Sequence, residues 1–231
     1  MKTIGLIGGM SWESTIPYYR HINETIRRHL GGLHSAKVVL FSVDFQEIER
    51  LQMNGDWQAA GELLSQAARR LEAAGADFVV ICTNTMHKVY DQIADAVSIP
   101  LCHIADATAS VIQQQGIKTV GLLGTRFTME QDFYKGRLSE QHNIRVIVPD
   151  ESDRELVHNV IYQELCLGQI NDESRQAFNE IMQRLVDKGA QGIILGCTEI
   201  GLLVGEQDAS VPLYDTAKIH AVQAAEISLK L

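Results

Sequence analysis

Two short apolar runs dominate the pattern of hydrophobic and polar positions along the chain. The first is FVVIC at residues 78–82, which follows Gly-Ala-Asp and ends in the polar stretch TNTMH at residues 83–87. The second is IILG at residues 193–196, which ends in Cys-Thr-Glu at residues 197–199. Unbroken runs of β-branched and apolar residues predict strands that are buried on both faces of a sheet. The polar residues directly after these strands are where we expect chemistry.

The surroundings of the two runs recur, which indicates an internal repeat. Cys197 follows Thr83 by 197 − 83 = 114 residues, and GLIG at residues 5–8 has a counterpart in GLLG at residues 121–124. Self-similarity at a long fixed offset is typical of a duplicated structural unit. We therefore expect two domains, the first formed by residues 1–104 and 216–231 and the second by residues 105–215.

Strands and helices alternate along both halves. The expected strands lie at residues 3–8, 38–43, 78–82, 99–101, 119–123, 144–148, 193–196 and 211–213. The expected helices begin after residues 12 and 128 and near residues 57, 86, 108, 153, 172 and 216, with none between residues 44 and 56. This alternation predicts parallel sheets covered by helices. We expect an α/β fold of two pseudo-symmetric domains, each a mainly parallel sheet flanked by helices, with the active site in the cleft between them.

Four polar segments follow expected strands, and they are candidates for one shared site. They are Gly9-Met10, Thr83-Asn84-Thr85, residues 125–128 and Cys197-Thr198-Glu199. Ligands of open parallel sheets bind beyond the carboxyl ends of the strands. Each segment also precedes a helix, whose free amide groups suit a carboxylate or a phosphate, so the pattern predicts an anionic small molecule. Any one segment alone is better explained as an ordinary strand-to-helix turn.

Composition narrows the classes of ligand and partner. A formal net charge of −9 argues against nucleic acid as a partner, because neutralising phosphates requires a basic stripe. No stretch is apolar enough for a membrane span, and the first residues lead into a strand rather than a signal peptide, so we expect a cytoplasmic protein. The four cysteines lack Cys-x-x-Cys and paired-histidine spacing, which predicts no metal site. Fingerprints for dinucleotides and nucleoside triphosphates are missing, so neither nicotinamide nor ATP is indicated.

Four short motifs occur in a fixed order along the chain. They are Gly8-Gly9-Met10, Asn84-Thr85-Met86-His87, Gly124-Thr125 and Gly196-Cys197-Thr198-Glu199. Together they resemble the aspartate/glutamate racemase family of cofactor-independent amino-acid racemases, and the resemblance covers essentially the whole chain. It implies two pseudo-symmetric α/β domains, a small-molecule amino-acid substrate, a homodimer, and no cofactor, neither pyridoxal phosphate nor a metal.

In this family two cysteine thiols act on opposite faces of the substrate α-carbon. One thiolate removes the α-proton and the opposing thiol returns a proton. Helix amino ends can lower a thiol pKa from its reference value of about 8.5, so that a thiolate and a thiol coexist near neutral pH. Cys197 stands at the position of the family's second cysteine, whereas Thr83 stands at the first, and neighbouring Cys82 is expected in the core.

Because a threonine hydroxyl is far too weak an acid to act as the base, the resemblance implies Cys197 as the base and Thr83 as the opposing proton donor. The family associates the cysteine of the second half with the L enantiomer, so the resemblance indicates L-aspartate or L-glutamate as the favoured substrate. The residues expected to bind substrate are Met10 through its backbone, Asn84, Thr85, Thr125, Thr128, Thr198 and Glu199, with Gln52 reaching from a loop at residues 52–55. Glu199 either orients the Cys197 thiol or is a solvated carboxylate at a helix start.

Two departures from the family pattern leave the substrate open. Aspartate-selective relatives carry an arginine and a lysine where this chain has Asp44-Phe45 and Cys166. Without these cations, a broad-specificity amino-acid racemase that accepts neutral side chains is an alternative. Because Thr83 leaves one catalytic thiol, a single-cysteine decarboxylase of a malonate-type acid is a second alternative, and a non-catalytic amino-acid-binding protein is a third.

Overall fold

The computed structural model describes residues 1–230, which form two compact units. Unit 1 comprises Met1–Ile104 and the chain from His220 onwards, and unit 2 comprises Ala105–Ile219. The strands are β1 (Ile4–Gly8), β2 (Val38–Ser42), β3 (Phe78–Ile81), β4 (Leu101–Cys102), β5 (Thr119–Gly124), β6 (Arg145–Ile147), β7 (Ile193–Gly196) and β8 (Leu213–Asp215). The helices are α1 (Trp12–Leu30), α2 (Phe45–Met53), α3 (Trp57–Ala73), α4 (Tyr90–Ala94), α5 (Ile104–Gln114), α6 (Arg126–Glu130), α7 (Asp132–His142), α8 (Glu151–Gln163), α9 (Asp172–Asp187), α10 (Ile200–Leu203) and α11 (Thr216–Leu229). Short 3-10 helices lie at Thr85–Val89, Leu165–Leu167 and Glu206–Asp208.

Each unit contains a four-stranded sheet, and the two sheets have the same strand order. Unit 1 has the order β2-β1-β3-β4 and unit 2 has the order β6-β5-β7-β8. All pairings in both sheets are parallel. The predicted α/β fold of two parallel sheets flanked by helices is therefore confirmed, and β3 and β7 occupy equivalent inner positions.

Each sheet is stabilised by a helix whose apolar stripe packs against it. In unit 1, Asp56 caps α3 by accepting a hydrogen bond from the backbone of Ala59, and apolar residues at helical spacing such as Leu64 and Leu71 are buried with Ile7 of β1. In unit 2, the corresponding stripe of α9 includes Phe178, Ile181 and Leu185, which are buried with Ile193 and Leu195 of β7. Burial of this apolar surface fixes the inner strands, from whose ends the candidate site residues extend.

The helix α2 lies where the hydrophobic pattern predicted none. Asp44 caps it by accepting a hydrogen bond from the backbone of Gln46, and Ile48 supplies its fully buried apolar contact. Gln52 lies in the last turn of α2 and is 3% exposed, so its placement on an exposed loop is wrong. A helix of nine residues presents few apolar positions, and its cap at Asp44 was the available signal.

Across the described residues, no helix combines the length and the apolar character needed to cross a membrane.

Candidate active site

Unit 2 carries the candidate base on a tight turn after β7. We call residues 197–201 the β7 turn; it connects Gly196, the last residue of β7, to α10. Gly196 pairs in register with Gly124, the last residue of β5. A Cβ on either glycine would lie 2.8 Å from a carbonyl oxygen of the opposite strand, so only glycine permits this close approach. The following residues, Cys197 and Thr125, therefore leave the sheet from the same edge.

Three side chains of unit 2 contact the buried carboxylate of Glu199. The Cys197 thiol donates a hydrogen bond to Oε2 of Glu199 at 2.9 Å, and the Thr198 hydroxyl donates to the same oxygen at 2.8 Å. The thiol of Cys166 lies 3.8 Å from Oε1. Glu199 is 1% exposed, so the interpretation of this residue as a solvated helix-start carboxylate is wrong. Its charge is instead held against the candidate catalytic thiol.

This environment raises the pKa of Cys197 well above the ordinary value of a thiol. Burial is the largest cause, and the negative charge of Glu199 adds to it because it repels a thiolate. The expectation that helix amino ends lower this pKa is therefore wrong for this arrangement. The helix that follows, α10, has only four residues and supplies little dipole to oppose these effects. The neutral thiol is the stable form, and it donates its hydrogen bond to the carboxylate of Glu199.

Thr125 and Thr128 lie beside each other at the end of β5. Thr125 is the N-cap of α6, and its hydroxyl oxygen accepts a hydrogen bond from the backbone of Thr128 at 3.4 Å. The two hydroxyl oxygens are 3.2 Å apart and share a further hydrogen bond. Both side chains are buried. The capping role explains these residues locally, and it also holds their hydroxyl groups at the same sheet edge as Cys197.

Unit 1 carries the candidate proton donor on the equivalent turn after β3. We call residues 83–87 the β3 turn; its Thr83, Asn84 and Thr85 are all buried, with Thr83 8% exposed. Cys82 is fully buried, and burial raises the pKa of its thiol, so the expected core position of Cys82 is confirmed. No thiol therefore extends from the β3 turn, and Thr83 is its first polar side chain.

His87 fixes the backbone of the β3 turn, and it is absent from the residues expected to function. Its imidazole Nδ1 lies 2.8 Å from the carbonyl oxygen of Thr83, and its backbone N–H donates to the carbonyl oxygen of Asn84 at 3.0 Å. Its Nε2 accepts a hydrogen bond from the backbone of Ile104 at 3.2 Å. The sequence signal was the spacing of four residues from Thr83, which places a side chain over the preceding turn.

The two remaining candidates, Met10 and Gln52, lie in unit 1. Met10 follows β1 after Gly9, and its side chain packs in the core with Ile7, which leaves its backbone as the group available to a ligand. Gln52 donates a hydrogen bond from Nε2 to the sulfur of Met86 at 3.0 Å. Gln52 therefore packs against the β3 turn from α2 rather than extending from a loop.

Among residues 1–230 there is no group of three or more histidine, cysteine, aspartate or glutamate side chains that could hold a metal ion. All four cysteines are free thiols. The polar chemistry of the candidate residues thus consists of a thiol, a carboxylate, hydroxyls, amides and one imidazole.

Comparison with known proteins gives consistent results at the levels of family and fold. The sequence profile of the Asp/Glu/Hydantoin racemase family matches residues 7–224. A Bacillus subtilis (strain 168) protein, the broad specificity amino-acid racemase RacX, is 23% identical over 228 residues, which cover 93% of this chain and 92% of that protein.

Two crystal structures superimpose over the full length of both chains. One is of a Yersinia pestis protein assigned to the Asp/Glu racemases, with 62% identity and a TM-score of 0.92. The other is of PH1733, an aspartate racemase homologue from Pyrococcus horikoshii OT3, with 34% identity and a TM-score of 0.85. In each case the similarity covers 100% of this chain and 100% of the other.

Proposed function

The chain belongs to the Asp/Glu/Hydantoin racemase family, and from this premise we propose that it is a cofactor-independent amino-acid racemase acting on L-aspartate or L-glutamate. Cys197 removes the α-proton, and Thr83 donates a proton to the opposite face of the α-carbon. Neither pyridoxal phosphate nor a metal takes part. The other candidate residues bind the substrate.

The observation that carries this proposal is the contact of a buried thiol with a buried carboxylate in the β7 turn. The Cys197 thiol donates to Glu199 at 2.9 Å, and Glu199 is 1% exposed. Burying a carboxylate beside a thiol costs free energy, because the carboxylate loses its hydration and its charge disfavours the thiolate. A protein that only bound amino acids would gain nothing from that cost, whereas a proton-transfer enzyme gains a strongly basic thiolate.

The proton transfers follow from these contacts. The Cys197 thiol passes its proton to Glu199, and the resulting thiolate takes the α-proton of the L enantiomer. A high thiol pKa makes that thiolate a strong base for a weakly acidic C–H bond. Thr83 then donates its hydroxyl proton to the carbanion and regains one from solvent, while Glu199 releases to solvent the proton it received from Cys197, which restores the starting protonation of all three groups. Amides and hydroxyls of the β3 and β5 ends stabilise the negative charge that develops on the substrate carboxylate.

A broad-specificity racemase is the second candidate, and the surroundings of Cys166 favour it. Cys166 stands where aspartate-selective relatives carry a lysine, and its thiol lies 3.8 Å from Glu199. Burial and the charge of Glu199 raise the pKa of Cys166, so this position offers no positive charge to a substrate carboxylate. Similarity to RacX, a broad specificity amino-acid racemase, supports the same reading.

Incubation of the purified protein with L-glutamate, L-aspartate and a panel of neutral L-amino acids in deuterium oxide tests the proposal. We expect deuterium at the α-carbon of recovered substrate and slow appearance of the D enantiomer, measured by mass spectrometry after chiral separation. Cys197→Ser should lower the rate of deuterium uptake by about 10³-fold or more, because it removes the base. Cys102→Ser, which changes a half-buried thiol of unit 1, is the matched control and should leave uptake intact.

The same incubations separate the alternatives. Uptake with acidic substrates alone supports aspartate or glutamate, and equal uptake with neutral ones supports broad specificity. Carbon dioxide released from a malonate-type acid without deuterium exchange into amino acids would replace racemisation with decarboxylation. Thermal stabilisation by amino acids with neither exchange nor carbon dioxide would identify a binding protein.

A further inference from the structure

We propose that His87 is a positioning residue for Thr83, which it holds in the geometry that proton donation requires. This inference rests on the proposed function, because it assigns His87 to the donor side of the reaction. Two of the hydrogen bonds of His87 involve the carbonyl groups of Thr83 and Asn84. Fixing both carbonyls fixes the two peptide planes that flank Asn84, and with them the orientation of the Thr83 side chain.

The partners of His87 determine its tautomer. The carbonyl oxygen of Thr83 can only accept, so Nδ1 carries a hydrogen and donates to it at 2.8 Å. The backbone amide of Ile104 can only donate, so Nε2 carries the lone pair and accepts at 3.2 Å. His87 is therefore a neutral imidazole with the hydrogen on Nδ1. Protonating Nε2 would break the bond to Ile104.

The bond to Ile104 ties the β3 turn to a helix. Ile104 is the first residue of α5, and its amide has no acceptor within that helix. The imidazole supplies the acceptor, so His87 connects the end of β3 to the start of α5. The bond from the Ile104 amide thereby orients the imidazole, whose Nδ1 meets the carbonyl oxygen of Thr83.

Other rings hold the imidazole in place. The His103 ring lies 4.5 Å from that of His87, His220 at 5.9 Å and Tyr90 at 6.1 Å, measured between ring centroids. On its own ring, His220 also forms a hydrogen bond with the hydroxyl of Tyr18 at 3.0 Å, and this bond does not involve His87. His87 is 2% exposed and His220 is fully buried, so bulk water cannot replace the bonds that His87 makes.

Positioning matters more for Thr83 than for a thiol. A hydroxyl is a weak acid, and its contribution to proton transfer depends on alignment with the α-carbon. A misplacement of about 1 Å can lower a rate by about 10²-fold. At the equivalent position of the β7 turn, 87 + 114 = 201, the chain has glycine, and Cys197 is held instead by Glu199. The histidine is thus specific to the donor turn.

Two conservative variants separate the bonds of His87. In His87→Asn the amide nitrogen takes nearly the place of Nδ1 and can donate to Thr83. In His87→Gln the polar group reaches the place of Nε2, so the bond to Ile104 can persist while the bond to Thr83 is lost. Both are assayed with L-glutamate in deuterium oxide, recording deuterium retained in the L enantiomer and formation of the D enantiomer separately. Tyr18→Phe, which removes the hydroxyl on His220 and leaves His87 unchanged, is the matched control.

We expect His87→Gln to lower formation of the D enantiomer by about 10²-fold and to leave Cys197-dependent deuterium uptake into the L enantiomer unchanged. His87→Asn and Tyr18→Phe should keep most of the racemisation. Equal losses of exchange and racemisation in the Asn and Gln variants, or no loss in either, would overturn the role of His87. Exchange that persists in Cys197→Ser would instead overturn the proposed function, so the two failures are distinguishable.

Discussion

The β3 turn and the β7 turn occupy the same place in two sheets of identical strand order, yet they hold their first polar residue in different ways. In the β3 turn, the imidazole of His87 binds the backbone of Thr83 and accepts from Ile104 at the start of α5. In the β7 turn, the carboxylate of Glu199 binds the side chain of Cys197 directly. In the β3 turn, His87 fixes the backbone of Thr83 and does not contact its hydroxyl through these bonds. In the β7 turn, Glu199 changes the acidity of the Cys197 thiol itself.

The same divergence extends to the helix that follows each edge strand. α5 is capped by the imidazole of His87, which lies on another element. α11 is capped by Asp215, the residue just before it, whose carboxylate accepts from the backbone of Lys218 at 3.0 Å. Because α11 has its own cap, the β7 turn needs no histidine, and Gly201 packs against Asp215 instead. The two halves therefore share the same backbone arrangement, but different side chains accept hydrogen bonds from the first backbone amides of α5 and α11: His87 in one half and Asp215 in the other.

Among the substitutions that make the two turns more alike, the largest effect is expected from giving both turns a thiol. Thr83→Cys places an acid of much lower pKa where the hydroxyl stands, so that this residue can become a base for the D enantiomer. We expect α-deuterium uptake into D-glutamate to rise by about 10²-fold, measured by mass spectrometry. Because enantiomers have equal free energies in water, kcat/KM must remain equal in the two directions.

Thr83→Ser is the matched control for Thr83→Cys. It keeps the hydroxyl, so uptake into the D enantiomer should stay near the level of the unmodified protein. A rise with serine as large as that with cysteine would show that the acidity of the group at position 83 does not limit the reaction.

A smaller effect is expected from removing the charge that distinguishes the β7 turn. In Glu199→Gln the repulsion of the Cys197 thiolate disappears, so the pKa of Cys197 falls towards the ordinary value of a thiol. At a fixed pH below that pKa, the thiolate fraction should rise by about tenfold. The pH dependence of Cys197 alkylation by iodoacetamide measures the shift.

Glu164→Gln provides a comparison for the charge itself. Glu164 precedes Cys166 and accepts a hydrogen bond from Ser174, and the Cys197 pKa is not raised by it. Its substitution should leave the alkylation profile of Cys197 in place. An unchanged profile in Glu199→Gln would mean that burial alone sets the acidity of the thiol.

The smallest effect on the chemistry is expected at Gly201, the counterpart of His87. A Cβ at this position would lie 2.6 Å from Oδ2 of Asp215. Gly201→Ala should therefore lower the free energy of unfolding by about 1–3 kcal/mol through overpacking, measured by urea denaturation. Gly136→Ala is the control of opposite sign, since its Cβ would have ordinary contacts inside α7 and alanine favours helix by up to about 1 kcal/mol.

Much of the fold was predictable because the apolar pattern is regular. Buried parallel strands read as unbroken apolar runs, so β3 and β7 could be located within one or two residues. Helices with a wide apolar stripe, such as α3 and α9, were equally clear. The nine-residue α2 was missed, because its signal was one capping aspartate and few apolar positions. Gln52 was misplaced for the same reason.

The residues of the candidate site could be predicted from the sequence, but the electrostatic environment of Cys197 could not. Cys197 and Thr83 were found because the carboxyl ends of inner strands are where ligands of parallel sheets bind. The acidity of Cys197 was expected to rise on the basis of helix dipoles, and the structure shows the opposite, because α10 is short and Glu199 is buried beside the thiol. The pairing of Cys166 with Glu199 joins residues 33 positions apart, which no local pattern indicates.

By itself the sequence determined the alternation of strands and helices, the internal repeat and the residues that leave the inner strands, because backbone geometry converts these patterns directly into sheet edges. Only the tertiary structure decided that Glu199 is buried against Cys197, and that His87 links Thr83 to the first turn of α5. These contacts depend on which side chains meet after distant segments pack, and on how far water is excluded there. The contacts and the exclusion of water set the acidity of Cys197 and the alignment of Thr83, and neither can be read from the spacing of residues along the chain.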